Sequence, residues 1–493
     1  MSVNPFGNKA RASEPKRGGS FRLALNQGSA SDVLDPAKFL APAQYILGMA
    51  MANCLVELSG TKKPIPELAE RWEFSKDFKD WVFYLRSGVR FHNGKTLEAG
   101  DVVYSLRRHI GPDTASSGKG LLSDVSSVDE DGPSAVRIKL KTGTPDLAYA
   151  LANYQFIIVP KDFSDWEHFV GTGPYKLKTY NPGVRFEGVR NEEYWKPNSA
   201  WFDDVTFTYI NDPSAAVNAL MSGQVDGIGY VAAEIAERLK GSGKFSVIAN
   251  NTNYLSLPMA TSYKPFANPD VRNAIKALID RPKMVNFITR GYGVVGNDHP
   301  IPPSDPYYNS SIPQREYDPE KAKSLLKKAG LSSLDLDLHV AEIFAGAVDS
   351  TAILQESAAA GGVNIKIQRE PVDGYWSNVW LKKPFLLCST GIRSTPDLIF
   401  SLFFACDANW NDARWCNREF DKLLIEGRST ADFDKRKAIY GEMQRIIAED
   451  GSNPVFMFPA LLDVYQSSVA GLAADSTRPF MGLRVAERAW FQD

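Results

Sequence analysis

The stretch VTFTYINDPSAAVNALMSGQVDGI, residues 205–228, contains a strand, a helix and a second strand in immediate succession. Its first part, 205–210, alternates apolar and polar side chains, as a half-exposed strand does. Asp212-Pro213 then supplies the N-cap and first residue of a helix, which we expect to end at Gly223. The apolar segment 225–228 predicts another strand. Strands that alternate with helices in this way indicate an α/β domain with a parallel or mixed sheet.

The same helix start recurs twice further along the chain. Asn268-Pro269 and Asp318-Pro319 again place an Asn or Asp before a proline, and Gly330 marks the expected end of the third helix. Strands predicted at 334–340 and 363–368 follow the third helix. The α/β pattern therefore extends well into the second half of the chain.

Length and composition exclude several classes of protein. A chain of 493 residues is expected to form two or three domains. Its net charge of −2 gives no reason to expect a nucleic acid partner. No apolar run approaches the ~18 residues that a membrane-spanning helix requires, so no membrane insertion is expected. The composition is that of an ordinary globular protein.

The N-terminal part offers the first candidate ligand contacts. A short alternating strand over 18–25 opens into a Gly/Ser loop, a position where α/β proteins commonly place backbone groups against a ligand. Asn26, Gly28 and Ser29 are therefore candidate ligand-binding residues. The apolar segment 43–58 predicts a helix after this loop.

The cysteines suggest one disulfide. Cys406 and Cys416 lie ten positions apart, a span that suits a small disulfide loop if the chain is exported. Two free buried thiols are the alternative, and the sequence leaves the state of Cys54 and Cys388 open. No CxxC pair or HExxH motif occurs, so neither a metal site nor another cofactor is expected.

The segment 389–416 around this loop is the second candidate ligand-binding region. We predict that its polar first half and the loop inside the cysteines face a buried ligand. The candidate residues are Gly391, Ile392, Arg393, Ser394, Asn409 and Trp410. Arg393 suits a carboxylate, a phosphate or sugar hydroxyls, or else forms a salt bridge with a neighbour such as Asp397. Trp410 either stacks on a ligand ring or belongs to the core.

A third candidate region is rich in aromatic residues. Asp373 to Trp380 includes Tyr375 and Trp376, which we predict to line a ligand cleft. The alternative is that these side chains form domain core, and for Trp380 the core is the preferred interpretation.

The first residues favour export. Ala10-Arg11-Ala12 fits a signal-peptidase site, with cleavage expected after Ala12. The first twelve residues lack an apolar core segment, so the expected leader is a trimmed one. A chance Ala-x-Ala sequence is the alternative.

Several motifs in order resemble one known family. They run from Leu34 to Ala322 and are Leu34-Asp35-Pro36, Pro66 to Trp72, Phe91 to Lys95, Asp101 to Ser105, Gly171 to Tyr175, Arg190 to Trp195, Ala219 to Asp226, Asn268 to Arg272 and Tyr317 to Ala322. Each motif is weak alone, but their order and spacing make the set specific. The chain resembles the extracytoplasmic solute-binding proteins of ABC importers, family 5, the peptide, nickel and opine type. The last third matches more loosely.

The resemblance implies a periplasmic-binding-protein-like α/β fold of class II. It has two lobes with the ligand cleft between them, and an extra domain in the first lobe. The implied boundaries are 13–45, 166–250 and 465–493 for domain I, 46–165 for the extra domain II and 251–464 for domain III, the second lobe. The implied partners are a small solute and the permease subunits of the importer. A periplasmic monomer with no catalytic residues is expected.

One position departs from the peptide-binding members of the family. Those relatives carry an Asp four residues before the proline that corresponds to Pro396, where it neutralises the α-ammonium group of the peptide. This chain has Ile392 there, and it also lacks, near Ala341, the arginine that dipeptide binders use for the ligand carboxylate. A buried ammonium group without a counter-charge is costly.

The departure predicts a polar organic solute without a free α-amino group, such as an opine or an oligosaccharide-like compound. A receptor for short peptides in another register is the alternative within the family. A secreted hydrolase is the alternative outside it, although no GxSxG or metal motif occurs.

Overall fold

The computed structural model describes residues 14–492 apart from 27, 112, 251–252, 345, 372–374, 392 and 409. The expected cleavage site after Ala12 and the candidate residues Ile392 and Asn409 therefore lie outside the described residues.

Strands and helices alternate along the first third of the chain. The elements are β1 (Ser20–Leu25), α1 (Pro42–Met51), β2 (Val56–Leu58), β3 (Pro64–Pro66), β4 (Ala69–Phe74), β5 (Asp80–Leu85), α2 (Ala99–Arg107), β6 (Val125–Glu130), β7 (Ala135–Leu140) and α3 (Leu147–Leu151). Short 3-10 turns lie at Pro36–Lys38, Lys119–Leu122, Tyr154–Phe156 and Trp166–His168.

The middle of the chain continues the alternation. The elements are β8 (Tyr175–Asn181), β9 (Arg185–Arg190), β10 (Asp204–Tyr209), α4 (Pro213–Met221), β11 (Gly227–Ile228), α5 (Ala233–Gly241), β12 (Phe245–Asn250), β13 (Asn253–Ser256), α6 (Pro269–Ala277), α7 (Arg281–Thr289), β14 (Gly293–Val295) and α8 (Pro319–Lys328).

The last third is richer in helix. The elements are β15 (Leu334–Val340), α9 (Ala347–Ala359), β16 (Val363–Arg369), α10 (Tyr375–Asn378), β17 (Cys388–Gly391), α11 (Pro396–Phe403), α12 (Arg418–Ser429), α13 (Phe433–Asp450), β18 (Val455–Pro459), β19 (Leu461–Gln466), β20 (Val469–Ala470), α14 (Pro479–Leu483), α15 (Val485–Arg488) and β21 (Trp490–Phe491).

The first lobe is built on a mixed sheet of seven strands in the order β12-β19-β11-β1-β10-β9-β8. Strand β1 lies parallel to β10 and to β11, and the other pairs are antiparallel. The sheet therefore joins strands from the start, middle and end of the chain, as the resemblance implies. Its core contains Phe21, Phe207 and Tyr465, all fully buried.

An extra domain is inserted in the first lobe between β1 and β8. Its antiparallel sheet has the order β4-β5-β7-β6 and packs against α2. Trp81, Phe83 and Val102 belong to its separate core. This domain supplies one wall of the cleft described below.

The second lobe contains two sheets and most of the later helices. The antiparallel sheet β14-β18-β13-β17 and the parallel pair β15-β16 pack against α6, α7 and α9 around Leu255, Ile275 and Leu338. Helices α11 to α13 form a second cluster around Phe400 and Tyr440. The mixed and parallel sheets agree with the strand–helix alternation of the sequence.

The chain passes between the lobes twice. Strand β12 belongs to the first lobe and β13 to the second, and β18 passes back to β19 through Ala460. The two crossings lie side by side, because β12 pairs with β19 and β13 pairs with β18. They form the hinge of the two-lobed fold.

The predicted helix starts and ends are confirmed. Asp212, Asn268 and Asp318 each accept a hydrogen bond from a backbone N–H in the first turn of the helix that follows. Gly223 and Gly330 follow the helix ends with φ of +73° and +79°, a conformation that glycine adopts without strain.

The helix predicted over 43–58 is shorter than expected. Helix α1 ends at Met51, and the chain after Ala52 is extended. The N–H groups of Leu68 and Ala69 donate to the carbonyls of Cys54 and Leu55, so pairing with a distant segment replaces the last helical turns. Gly173 also packs here, because a Cβ at that position would meet the backbone of Met51.

The predicted disulfide is present. Cys406 and Cys416 are bonded, whereas Cys54 and Cys388 are buried free thiols. The disulfide closes the loop that carries Trp410, beside the helical cluster of the second lobe.

Candidate binding cleft between the two lobes

The parallel strands of the first lobe end at an edge that faces the second lobe. Asn26 follows β1, Asn211 follows β10 and Tyr230 follows β11, and all three line a cavity of about 410 Å³. The carboxyl ends of parallel strands are the usual place for ligands in α/β folds. The second lobe closes the other side with Leu255, Tyr292, Phe344 and Ser389, among others.

A smaller cavity of about 90 Å³ lies beyond the end of β17. Its lining residues include Lys62, Tyr154 and Arg478 from the first lobe, and Arg393 and Ser394 from the second. Ser389 on β17 lines the larger cavity, and Arg393, two residues after the end of this strand, lines the smaller one. The cleft therefore has a wide part near the hinge and a narrow part lined by cations.

Arg393 enters the narrow part of the cleft and has no acidic partner among the described residues. Its Nη1 donates to the carbonyl of Gly391 at 3.1 Å, and its guanidinium carbon lies 5.7 and 5.9 Å from the ring centroids of Phe403 and Trp410. No ion pair joins it to Asp397, which instead pairs with Arg428. Burial lowers the pKa of Arg393, and the nearby positive charge of Arg478 lowers it further. The salt bridge considered from sequence is therefore wrong.

Arg478 is the first-lobe counterpart of Arg393, and no local pattern in the sequence marks it as a candidate. Its guanidinium carbon lies 5.6 Å from the ring centroid of Tyr154. Asp475, three residues earlier, accepts hydrogen bonds from the backbone N–H groups of Thr477 and Arg478. Within the described residues, no carboxylate forms an ion pair with the Arg478 side chain.

The other charged residues that line the narrow cavity are paired. Lys62 Nζ lies 3.2 Å from Asp305 Oδ2, and burial lowers the pKa of Lys62 despite this carboxylate. Arg484 contacts Glu67 at 2.6 Å and Glu487 at 2.8 Å. Glu57 is the remaining charged lining residue, and it forms ion pairs with Lys196 and Arg488, each at 2.5 Å.

Two buried ion pairs join the extra domain to the second lobe. Arg436 donates to both oxygens of Asp146 at 2.8 Å, and Lys62 contacts Asp305. All four side chains are at least about nine-tenths buried. Sequence reasoning missed both pairs, because their partners are hundreds of residues apart and carry no local pattern. They are direct ionic contacts between the two lobes.

A row of tryptophans extends from Arg393 along the second lobe. Ring centroids of Trp376 and Trp380 are 5.9 Å apart, and those of Trp380 and Trp410 are 6.0 Å apart. Trp410 remains 40% exposed and Trp376 46% exposed, whereas the indole of Trp380 donates to Asp412. The rings at the two ends of the row are exposed, but neither is among the residues that line the two cavities.

Tyr375 lies in the core of the second lobe and not among the exposed aromatic rings. It is fully buried, and its hydroxyl donates to the backbone carbonyl of Leu387 at 2.8 Å. This is the core position that the sequence analysis kept as the alternative for this aromatic segment.

The loop after β1 contributes to the cleft mainly through Asn26. Gly28 exchanges two hydrogen bonds of 3.1 Å with the side chain of Asn211, so it holds another residue that lines the wide cavity. The N–H of Ser29 donates to Asp32 within its own turn. Gly391 pairs with Asn253 at the end of β17 and fixes the position of Arg393.

The described residues show neither a metal-binding cluster nor a membrane-spanning helix. No cluster of three or more His, Cys, Asp or Glu side chains there could hold a metal ion. In the same part of the chain, no helix is both long and apolar enough to cross a membrane.

Comparison with known proteins gives consistent matches. The profile described as "Bacterial extracellular solute-binding proteins, family 5 Middle" matches residues 63–411. The dipeptide-binding protein of Escherichia coli K12 is 27% identical over 491 residues, which cover 90% of each chain.

Two solved structures are similar over nearly their whole length. The binding protein AgaA of A. tumefaciens R10, in complex with agropinic acid, is 24% identical with a TM-score of 0.74, covering 96% of this chain and 99% of AgaA. HbpA2 of Haemophilus parasuis is 22% identical with a TM-score of 0.87, covering 96% and 100%. These two likenesses concern the fold.

Proposed function

The chain belongs to the bacterial extracellular solute-binding proteins, family 5, the periplasmic substrate-binding receptors of ABC importers, and we propose that it captures a polar organic solute without a free α-amino group. The solute is of the opine or oligosaccharide-like kind, and the receptor delivers it to the permease subunits of its importer.

The observation that carries this proposal is the position of Arg393. It lies in the cleft between the lobes with no ion pair to any described residue, and it has the aromatic rings of Phe403 and Trp410 beside it. A half-buried guanidinium group is stable there only if hydrogen-bond acceptors come from solvent or from a ligand. Carboxylate, phosphate and sugar hydroxyl oxygens all supply such acceptors.

The sequence next to Arg393 argues against an ordinary dipeptide. Ile392 stands where peptide-binding relatives carry the Asp that meets the α-ammonium group. Glu57 is the carboxylate among the described residues that line the narrow cavity, and it is already paired with Lys196 and Arg488. A bound ammonium group would add a positive charge to a cleft that already has an excess of cations.

The size of the cleft suits a small solute. Pockets for small organic ligands usually measure about 300–1,000 Å³, and the wide cavity measures about 410 Å³. Its walls mix apolar side chains such as Leu255 and Phe344 with the amides of Asn26 and Asn211. A molecule with an apolar or sugar-like body and a few polar groups fits this lining.

A matched pair of ligands tests the proposal directly. Isothermal titration should compare a dipeptide with its N-acetyl derivative, which differs only at the α-amino group, and should include agropinic acid as an opine-type probe. We expect the blocked dipeptide to bind at least about tenfold more tightly than the free one, because it carries no unpaired ammonium group. Mass spectrometry should recover each ligand unchanged.

A receptor for short peptides is the second candidate. It is favoured by the 27% identity to the dipeptide-binding protein of Escherichia coli K12. Micromolar or tighter binding of the free dipeptide, together with a loss on N-acetylation, would establish it in place of the first proposal.

A further inference from the structure

The narrow cavity contains two arginines that pair with no described carboxylate, and they come from different lobes. Arg393 follows β17 of the second lobe, whereas Arg478 precedes α14, which packs on β19 and α1 of the first. Both line the cavity of about 90 Å³. We propose that Arg393 and Arg478 together bind one oxyanion of the solute, a carboxylate or a phosphate-type group, and that this anion bridges the lobes.

This inference rests on the proposed function and narrows it. Arg393 alone is compatible with hydroxyl, carboxylate or phosphate oxygens. The second guanidinium group favours a carboxylate or a phosphate over a hydroxyl group, because a hydroxyl group carries no charge to offset two cations.

The charge balance around the narrow cavity supports an anion. Its charged lining residues, all within the described part of the chain, are Glu57, Lys62, Arg393, Arg478 and Arg484. Lys62 is neutralised by Asp305, while Glu57 and Arg484 belong to a buried cluster with acids and bases of its own. Arg393 and Arg478 are the two charges that remain without a partner. Asp475 is a further buried carboxylate near Arg478, but its oxygens accept hydrogen bonds from backbone N–H groups and lie 3.9 Å from Arg488. The cavity lining therefore keeps two guanidinium groups that form no ion pair with a described carboxylate.

Two like charges in a shared cavity repel each other, and the repulsion grows as the lobes exclude water. An oxyanion between them replaces that repulsion with two attractive, charge-assisted contacts. Closure of the lobes is therefore opposed by the arginines when the cavity is empty and favoured when an anion occupies it.

The rings beside the two arginines orient them. Tyr154 lies 5.6 Å from the guanidinium carbon of Arg478, and it stacks on Tyr45 with ring centroids 3.7 Å apart. Phe403 and Trp410 lie beside Arg393 in the same way. Cation–π contacts of this kind hold a guanidinium group without using its N–H donors. Arg393 uses one Nη1 N–H on the carbonyl of Gly391, and its other donors and those of Arg478 stay available to a ligand.

The volumes of the two cavities indicate which part of the solute each one holds. A cavity of about 90 Å³ accommodates a carboxylate or phosphate group but not a whole solute, whereas the wide cavity of about 410 Å³ accommodates the body. The anion is therefore expected at one end of the molecule.

Sulfate is a suitable probe, because it supplies a free oxyanion regardless of which solute is natural. We would titrate the full chain with sulfate at constant ionic strength and follow its melting temperature and its radius of gyration by small-angle X-ray scattering. The variants are Arg393→Gln, Arg478→Gln and the charge-conserving Arg478→Lys. The control is Arg418→Gln, which removes a guanidinium group that is 83% exposed on α12.

Sulfate should stabilise the wild type and make it more compact. Either Gln variant should weaken the effect at least about tenfold, the scale of one charge-assisted contact. Arg478→Lys should restore part of it, and Arg418→Gln should behave as the wild type. A wild-type response in Arg478→Gln would show that the second lobe binds the anion alone, and no response in the wild type would exclude the oxyanion site. Both results would overturn the proposal.

Comparing the binding of agropinic acid with that of its methyl ester, which lacks the carboxylate charge, tests whether the site binds an anion that is part of a solute and not only a free anion. We expect the ester to bind at least about tenfold more weakly, and only for proteins that retain both arginines. Equal binding of acid and ester would overturn the bridging anion while leaving the proposed solute class intact. Sulfate binding that needs both arginines, together with tight binding of free dipeptides, would reject the solute class and keep the anion site.

Discussion

Two arginines line the same narrow cavity in opposite circumstances. Arg484 is fully buried and contacts Glu67 and Glu487, and these carboxylates hold its pKa above its ordinary value although burial opposes this. Arg393 has no carboxylate partner among the described residues, and burial lowers its pKa. The fold provides carboxylates that neutralise Arg484. For Arg393, the described residues provide none, so its charge is balanced only by solvent or by a ligand.

The difference separates a structural charge from one that we propose to bind the solute. The cluster around Arg484 joins the extra domain, through Glu57 and Glu67, to Lys196 and to the C-terminal segment of the first lobe. Every charge in it is satisfied before any ligand arrives. Arg393 and Arg478 belong to no such cluster, so their contribution to binding depends on what enters the cleft.

The largest expected effect comes from breaking the satisfied cluster. Arg484→Gln leaves Glu67 and Glu487 buried with too few cations, and we expect the free energy of unfolding to fall by about 3–5 kcal/mol. Urea denaturation of the ligand-free protein, followed by tryptophan fluorescence, measures this change. Arg418→Gln is the control, and a loss below about 1 kcal/mol in Arg484→Gln would contradict the structural role.

The next effect concerns the contact between the lobes. Asp146→Asn removes the charge that Arg436 meets at 2.8 Å, and both side chains return to water when the lobes separate. We expect the closed form to lose about 3 kcal/mol, which is about a 100-fold shift toward the open form. Small-angle scattering should show a larger radius of gyration.

Asp129→Asn is the matched control for Asp146→Asn, because its pair with Arg107 is exposed and lies within the extra domain. An unchanged radius of gyration in Asp146→Asn would show that this ion pair does not hold the lobes together.

A smaller effect should appear as a pH dependence at the hinge. Asp463 on β19 accepts hydrogen bonds from Asn250 and from the N–H of Phe480, and no described cation pairs with it. Burial raises its pKa to about 7. Between about pH 4 and pH 7 the folded protein keeps a proton that the unfolded chain has released. The free energy of unfolding therefore falls as the pH rises through this window, and it levels off above it.

Asp463→Asn should remove this decline. We expect its free energy of unfolding, relative to wild type, to rise by about 2 kcal/mol from pH 5 to pH 8. Urea denaturation at both pH values measures the difference, and Asp412, whose pKa is about 6, is present in both proteins and cancels. A difference that is the same at both pH values would contradict the titration of Asp463.

The smallest effect on stability is expected where the charge is unpaired. Arg393→Gln breaks no ion pair, so we expect the free energy of unfolding of the ligand-free protein to change by less than about 1 kcal/mol. Urea denaturation measures this change beside that of Arg484→Gln. A loss as large as that of Arg484→Gln would show that Arg393 is a structural residue.

Local signals in the sequence predicted local structure well. An Asn or Asp before a proline identified the starts of α4, α6 and α8, because a capping side chain and its partner lie within one helical turn. The segment 43–58 shows where such signals fail. Its apolar pattern continues past Met51, but the chain after this residue pairs with a segment more than ten residues away.

The residues of the candidate cleft show the same contrast between local and distant signals. Arg393 was identifiable because it lies in a segment whose departure from the family pattern is visible. Arg478 carries no pattern, and its importance arises only when the first lobe brings it opposite a residue 85 positions earlier. Tyr375 was a candidate by composition alone, and burial places it in the core.

The paired crossings at the hinge have a consequence for how specificity can change. The second lobe is formed by one continuous chain segment, from β13 to β18. The two ends of this segment lie next to each other, because Leu255 pairs with Met457 and Asn250 pairs with Leu461. Exchange of this segment for that of another receptor would replace Arg393 and its aromatic neighbours in a single step. It would keep Arg478 and the whole first lobe. A hybrid made in this way would inherit half of its cleft from each parent, and its solute would have to satisfy both.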